Sequence, residues 1–144
     1  MYMSKKSSSL CFAVLLLLGC CGLFYSGTPE EKIKSQLKAE GINVTDVRLD
    51  GGVIIVTYNQ LASADVNNVY ATWAYIFAVS VKNSPPYSSA GDQSVTIVCK
   101  FDDGEIMNAT ARAGDILDFV DKKTTAWEFL YTVDAECVTN CTIE

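Results

Sequence analysis

An apolar stripe in the middle of this 144-residue chain limits its fold more than any other feature. Val66, Val69, Tyr70, Trp73, Phe77 and Val81 recur at helical spacing between Ser63 and about Lys82. Ala74, Ile76, Ala78 and Val79 widen the stripe, and Pro85-Pro86 ends it. A helix of about twenty residues is about 30 Å long, enough to cover a whole sheet. Its aromatic row is expected to pack as core rather than to line a ligand slot.

The segments on either side supply a sheet for that helix to cover. In "NVTDVRLDGGVIIVTYN", Gly51-Gly52 suits a two-residue turn, with Leu49 facing Ile54 and Val47 facing Val56. In the second hairpin Val95, Ile97, Cys99 and Phe101 alternate on one face. A two-residue loop, Asp103-Gly104, would set Cys99 against Asn108. A three-residue loop, Asp102 to Gly104, sets Cys99 against Met107, Ile97 against Ala109 and Val95 against Ala111. Only the second register makes one continuous apolar face, so it is preferred, with Gly104 at the left-handed position.

Thr28-Pro29-Glu30-Glu31 opens a first helix with a capping box and an N1 proline, and Gly41 stops it. Asp115 to Asp121 forms a short helix. Thr125-Ala126-Trp127-Glu128 caps a last one, in which Trp127, Leu130 and Tyr131 are expected to point inward. The predicted class is α+β, in the order helix, hairpin, long helix, hairpin, helix, helix. The expected product is a four-stranded antiparallel sheet with helices packed on one face.

The N-terminus reads as an export signal. Lys5 and Lys6 precede an apolar run from Leu10 to Phe24, with small residues near its end at Gly19, Cys20, Cys21 and Gly22. Fifteen apolar residues are short for a bilayer-crossing helix, which needs about 20. Leu17-Leu18-Gly19-Cys20 resembles the lipobox of prokaryotic lipoproteins. The resemblance implies that the Cys20 thiol is lipidated and becomes the new N-terminus. Residues 1–27 are thus expected to be signal, anchor and short tether, and residues 28–144 a single exported domain. An ordinary cleaved signal and an uncleaved anchor are the alternatives.

Composition narrows the chemistry. Residues 28–144 carry 9 basic against 17 acidic residues, a net charge of −8. Nucleic-acid binding needs clustered Lys and Arg, so no nucleic-acid partner is expected. The chain has no histidine, which excludes Ser-His-Asp and Cys-His catalysis and His-ligated metal sites. Asp102, Asp103 and Glu105 cluster at a turn, but their spacing does not match a calcium loop, and a tight turn calls for Asp and Gly in any case. Asp115, Asp118 and Asp121 recur at helical spacing as a solvated face. No metal, cofactor or catalytic residue is assigned.

Export permits disulfides. Cys137 and Cys141 are the preferred pair, with Cys99 reduced in the core. Asn43, Asn108 and Asn140 each head an N-glycosylation sequon and are candidate acceptors. The function expected is a membrane-tethered, extracytoplasmic, non-catalytic binding domain, at the outer face of a membrane in the cell envelope or secreted. Its partner is an envelope protein or a small ligand. The alternatives are a carboxylate-dependent hydrolase of cell-surface material and a structural envelope component.

Overall fold

A computed structural model describes residues 27–84 and 93–139 of the chain. The first helix, α1 (Pro29–Ala39), begins with the expected box. Thr28 Oγ1 accepts from the Glu31 N–H at 3.2 Å, and Glu31 Oε2 accepts from the Thr28 N–H at 3.4 Å. It ends in a Schellman motif. Gly41 takes φ +81, and the Gly41 and Ile42 amides donate back to Lys38 and Leu37 carbonyls. Ile33 and Leu37, one turn apart, are its fully buried anchors.

Two hairpins follow, β1 (Asn43–Asp50) with β2 (Val53–Gln60), and β3 (Ser94–Phe101) with β4 (Ile106–Arg112). Both take the registers expected from sequence. Leu49 pairs with Ile54 and Val47 with Val56 in the first. Cys99 pairs with Met107, Ile97 with Ala109 and Val95 with Ala111 in the second. The second turn has Asp102 to Gly104 as its loop. The Phe101 N–H donates to the Glu105 carbonyl at 2.9 Å, and Gly104 sits at φ +95.

Between the hairpins lies α2 (Val66–Lys82). It starts later than Ser63, because the Asp65 carboxylate caps it by accepting the Asn67 N–H at 2.8 Å. Trp73, Phe77 and Val81 are buried as predicted, while Val66 and Tyr70 stay partly exposed. At its C-terminal end the buried Gln36 of α1 accepts a hydrogen bond from Asn83 Nδ2 at 3.0 Å, which ties the two helices together. After β4 come α3 (Ala113–Val120), α4 (Ala126–Leu130) and β5 (Asp134–Thr139).

The predicted sheet needs two corrections. It has five strands, in the order β1-β2-β3-β4-β5, and it is mixed rather than antiparallel. β2 and β3 are parallel, from Val53 opposite Ser94 to Gln60 opposite Phe101. The cause is α2. Seventeen helical residues span about 25 Å, close to the length of the eight-residue strand beneath them. The helix therefore carries the chain back to where β2 began, and β3 must run the same way. The fifth strand is the segment expected to be a tail after the last helix. β5 pairs antiparallel with β4, setting Cys137 opposite Met107 and Ala135 opposite Ala109.

One core unites the helices with one face of the sheet. Ile54, Val56 and Tyr58 of β2 stand in register with Val95, Ile97 and Cys99 of β3, all fully buried. Phe119 of α3 stacks on Phe129 of α4 at 4.9 Å, and Phe77 meets Phe129 edge-on at 5.6 Å. This corrects the expected orientation of α4. Phe129 is its buried anchor, whereas Trp127 and Tyr131 are 39% and 87% exposed. Its capping box is as predicted, with Thr125 Oγ1 accepting the Glu128 N–H at 3.1 Å.

Candidate functional site

Two cavities lie one on each side of a buried polar trio. The larger, about 680 Å³, opens at the carboxyl ends of the parallel strands. Parallel strands leave their carboxyl ends side by side, which is where open α/β sheets tend to offer a crevice. Asn59 and Gln60 of β2, Lys100 of β3, Thr72 of α2, and Glu40 and Asn43 line it. Asp102 also lines it, but its Oδ1 accepts the Ala62 N–H at 2.8 Å and so holds the β2–α2 connection. Asp103 Oδ1 likewise accepts the Glu105 N–H at 3.0 Å. Both aspartates shape turns, and the third carboxylate of that cluster, Glu105, offers its backbone to the same turn. Among the described residues no group of three or more cysteines and carboxylates is placed to hold a metal ion.

The smaller cavity, about 320 Å³, is aromatic. Tyr70 and Trp73 of α2, Trp127 and Leu130 of α4, Tyr131, Val133 and Ala135 line it. Tyr70 stands edge-on to Trp73 at 5.6 Å with 69° between ring planes, and edge-on to Trp127 at 6.4 Å and 80°. Tyr70 is thus steeply inclined to both tryptophan rings. Helical spacing puts Tyr70 and Trp73 on one side of α2, one turn apart. The five-residue α4 turns Phe129 into the core and thereby directs Trp127 to the cleft. The chain has two tryptophans, and both line this cleft.

Between the cavities Trp73 Nε1–H donates to the Tyr58 hydroxyl at 3.0 Å. Tyr58 lines the crevice, Trp73 lines the cleft, and Cys99, a free and fully buried thiol, sits beside them. Burial pushes the Tyr58 phenol far above its ordinary range, and the neighbouring Cys99 adds to the push. Burial also raises the Cys99 thiol, with weaker opposition from its hydrogen bonds to Tyr58 and Trp73. Neither group is poised to ionise near neutral pH, so the trio serves packing rather than nucleophilic chemistry.

That environment sets a pH dependence. Both groups fold as neutral acids with raised pKa values, so the unfolded chain loses their protons first. Stability is unaffected below the ordinary thiol value of 9.0 and falls as pH rises past it, with the phenol joining above 10.0. Thermal unfolding of Cys99→Ala is expected to decline less steeply than the parent between pH 9 and 10. Tyr58→Phe is expected to flatten the fall above pH 10. Parallel profiles for parent and variants would show that the two groups ionise alike in both states.

The chain matches no family model, no curated protein and no solved structure. The remaining predicted sites fall as follows. Cys20 lies outside the described residues, as do Cys141 and Asn140. Cys137 lies on β5, facing the same side of the sheet as Met107. Asn43 is exposed at the start of the edge strand β1. Asn108 is half-buried on the helix-free face, between Val98 and Glu136. Among the described residues no helix is long and apolar enough to cross a membrane. The aromatic cleft was not predicted. Trp73 is buried as expected, whereas Trp127 and Tyr131, expected to turn inward, are exposed. The available signal was a cluster of aromatics in a segment too short to bury them all.

Proposed function

We propose that this protein is a non-catalytic binding domain, exported and held at the outer face of a membrane by a lipidated Cys20, with the aromatic cleft as its binding site. The observation that carries this reading is the pair of large aromatic side chains, Trp127 and Tyr131, kept 39% and 87% exposed at the rim of a preformed concavity. Leaving such surface in water forgoes about 25 cal/mol per Å² of apolar area. Small-ligand sites are concave, mostly apolar and largely preformed. At about 320 Å³ the cleft is at the small end of such sites, which favours a small ligand or one side chain of an envelope protein.

Both tryptophans report on the cleft, so intrinsic fluorescence tests the reading. Titrating the full chain with a panel of small neutral and cationic organic compounds should shift or quench its emission saturably. Trp127→Leu should lose most of that response while unfolding at the parent temperature. Emission unmoved by every compound would remove the cleft from the proposal. The anchor is tested separately: Cys20→Ser should abolish lipid labelling of the mature chain, and a parent without lipid at Cys20 would refute that part.

A further inference from the structure

We propose that the aromatic cleft takes an organic cation, specifically a quaternary ammonium group carrying no phosphate. The inference rests on the cleft being a binding site and specifies its ligand. Four aromatic rings, Tyr70, Trp73, Trp127 and Tyr131, line the cavity. The face of an aromatic ring is negative and its edge positive. Tyr70 stands at 69° to Trp73 and at 80° to Trp127, so the lining rings are not all coplanar. A cation within about 6 Å of several such faces is held by each of them, tryptophan most strongly.

The charges around the cleft point the same way. Its lining residues lie in two chain segments, residues 70–73 and 127–135. Neither contains a lysine or arginine, although the chain has 11. They carry Glu128 and Asp134 instead. The charged residues within the lining segments therefore favour a cation over phosphate. The cleft lining itself has no carboxylate. A compact ammonium ion that needs a salt-bridge partner, such as a lysine head group, would lose hydration there without replacement. A quaternary ammonium has no N–H to satisfy and carries an apolar methyl surface, so it suits walls of rings and Leu130, Val133 and Ala135.

Choline and its uncharged isostere 3,3-dimethylbutan-1-ol have the same shape and differ in charge. The full chain, in maltoside micelles free of choline lipids, is titrated with each and followed by tryptophan emission and calorimetry. Choline is expected to bind at least about tenfold more tightly than the isostere, the upper part of the cation–π range. Phosphocholine is expected to bind more weakly than choline. Trp127→Leu and the surface variant Tyr131→Leu keep an apolar side chain but remove a ring face, so they should weaken choline by a larger factor than the isostere. Equal affinity for choline and the isostere would overturn the cation assignment while leaving an apolar binding cleft. Tighter binding of phosphocholine would overturn the exclusion of phosphate and make a lipid head group the source. No binding of either isostere would overturn the inference outright. A response to other compounds of the fluorescence panel in that case would keep the binding reading.

Discussion

Phe77→Ala is expected to destabilise the domain by about 3–5 kcal/mol, the usual cost of removing a fully buried phenylalanine ring. For a domain of this size that lowers the unfolding midpoint by on the order of 10–25 °C. The cost is at the high end because the ring has no way to be replaced. Phe77 is fully buried and meets Phe129 edge-on, and Phe129 is stacked on Phe119. The neighbours are held by each other, so the cavity left by the ring cannot easily close. Truncating Phe77 also frees α4, whose five residues are anchored through Phe129. Tyr131→Ala, at an exposed position, should change stability by no more than about 0.5 kcal/mol. A Phe77→Ala midpoint within about 1 kcal/mol of the parent would show that this ring does not fill the core.

Ile97→Asp is expected to abolish cooperative folding, with a loss on the order of 5 kcal/mol or more, whereas Val98→Asp should cost about 1 kcal/mol. The two residues are adjacent in β3 and point to opposite faces. Ile97 is fully buried between Val56 of β2 and Ala109 of β4. Among the described residues the buried polar side chains are Gln36 and Ser80, neither of them basic, so the charge must be buried alone or the strand must leave the sheet. Val98 is half-buried between Thr57 and Asn108 on the sheet face opposite the described helices, where water reaches the new carboxylate. A one-residue shift of register would exchange the two outcomes. Denaturant unfolding of both variants therefore checks the facing of the central strand. Similar costs for both would contradict the described register.

Local features of the chain were legible, and long-range ones were less so. Both hairpin registers followed from turn chemistry and alternation, because Gly51 and Gly104 sit where positive φ is needed. Both capping boxes followed from Thr and Glu three residues apart. The parallel pairing was missed although the numbers were in hand. A helix as long as the strand before it returns the chain to its starting end. Strand β5 was missed for a different reason. "DAECVT" alternates acidic with small residues and lacks an apolar face, so its strand character comes from β4 rather than from itself. In α4 little more than one turn gives no usable periodicity, and the buried ring was decided by Phe119 and Phe77 from elsewhere in the chain. The cleft depended on that choice, since burying Phe129 is what leaves Trp127 at the rim.

The parallel seam also bears on how the molecule assembles. Partners across it, from Val53 with Ser94 to Gln60 with Phe101, are a constant 41 positions apart in the chain, whereas each hairpin closes through a turn of two or three residues. Contacts within a hairpin can form in microseconds, but joining β2 to β3 must first bring distant segments together. We infer that the two hairpins arise early and independently, and that α2 then docks them as it covers the seam. Lengthening the connection after Gln60 with a flexible insert should slow refolding in proportion to the added loop entropy while leaving the unfolding rate alone. A refolding rate insensitive to the insert would place closure of the seam after the rate-limiting barrier.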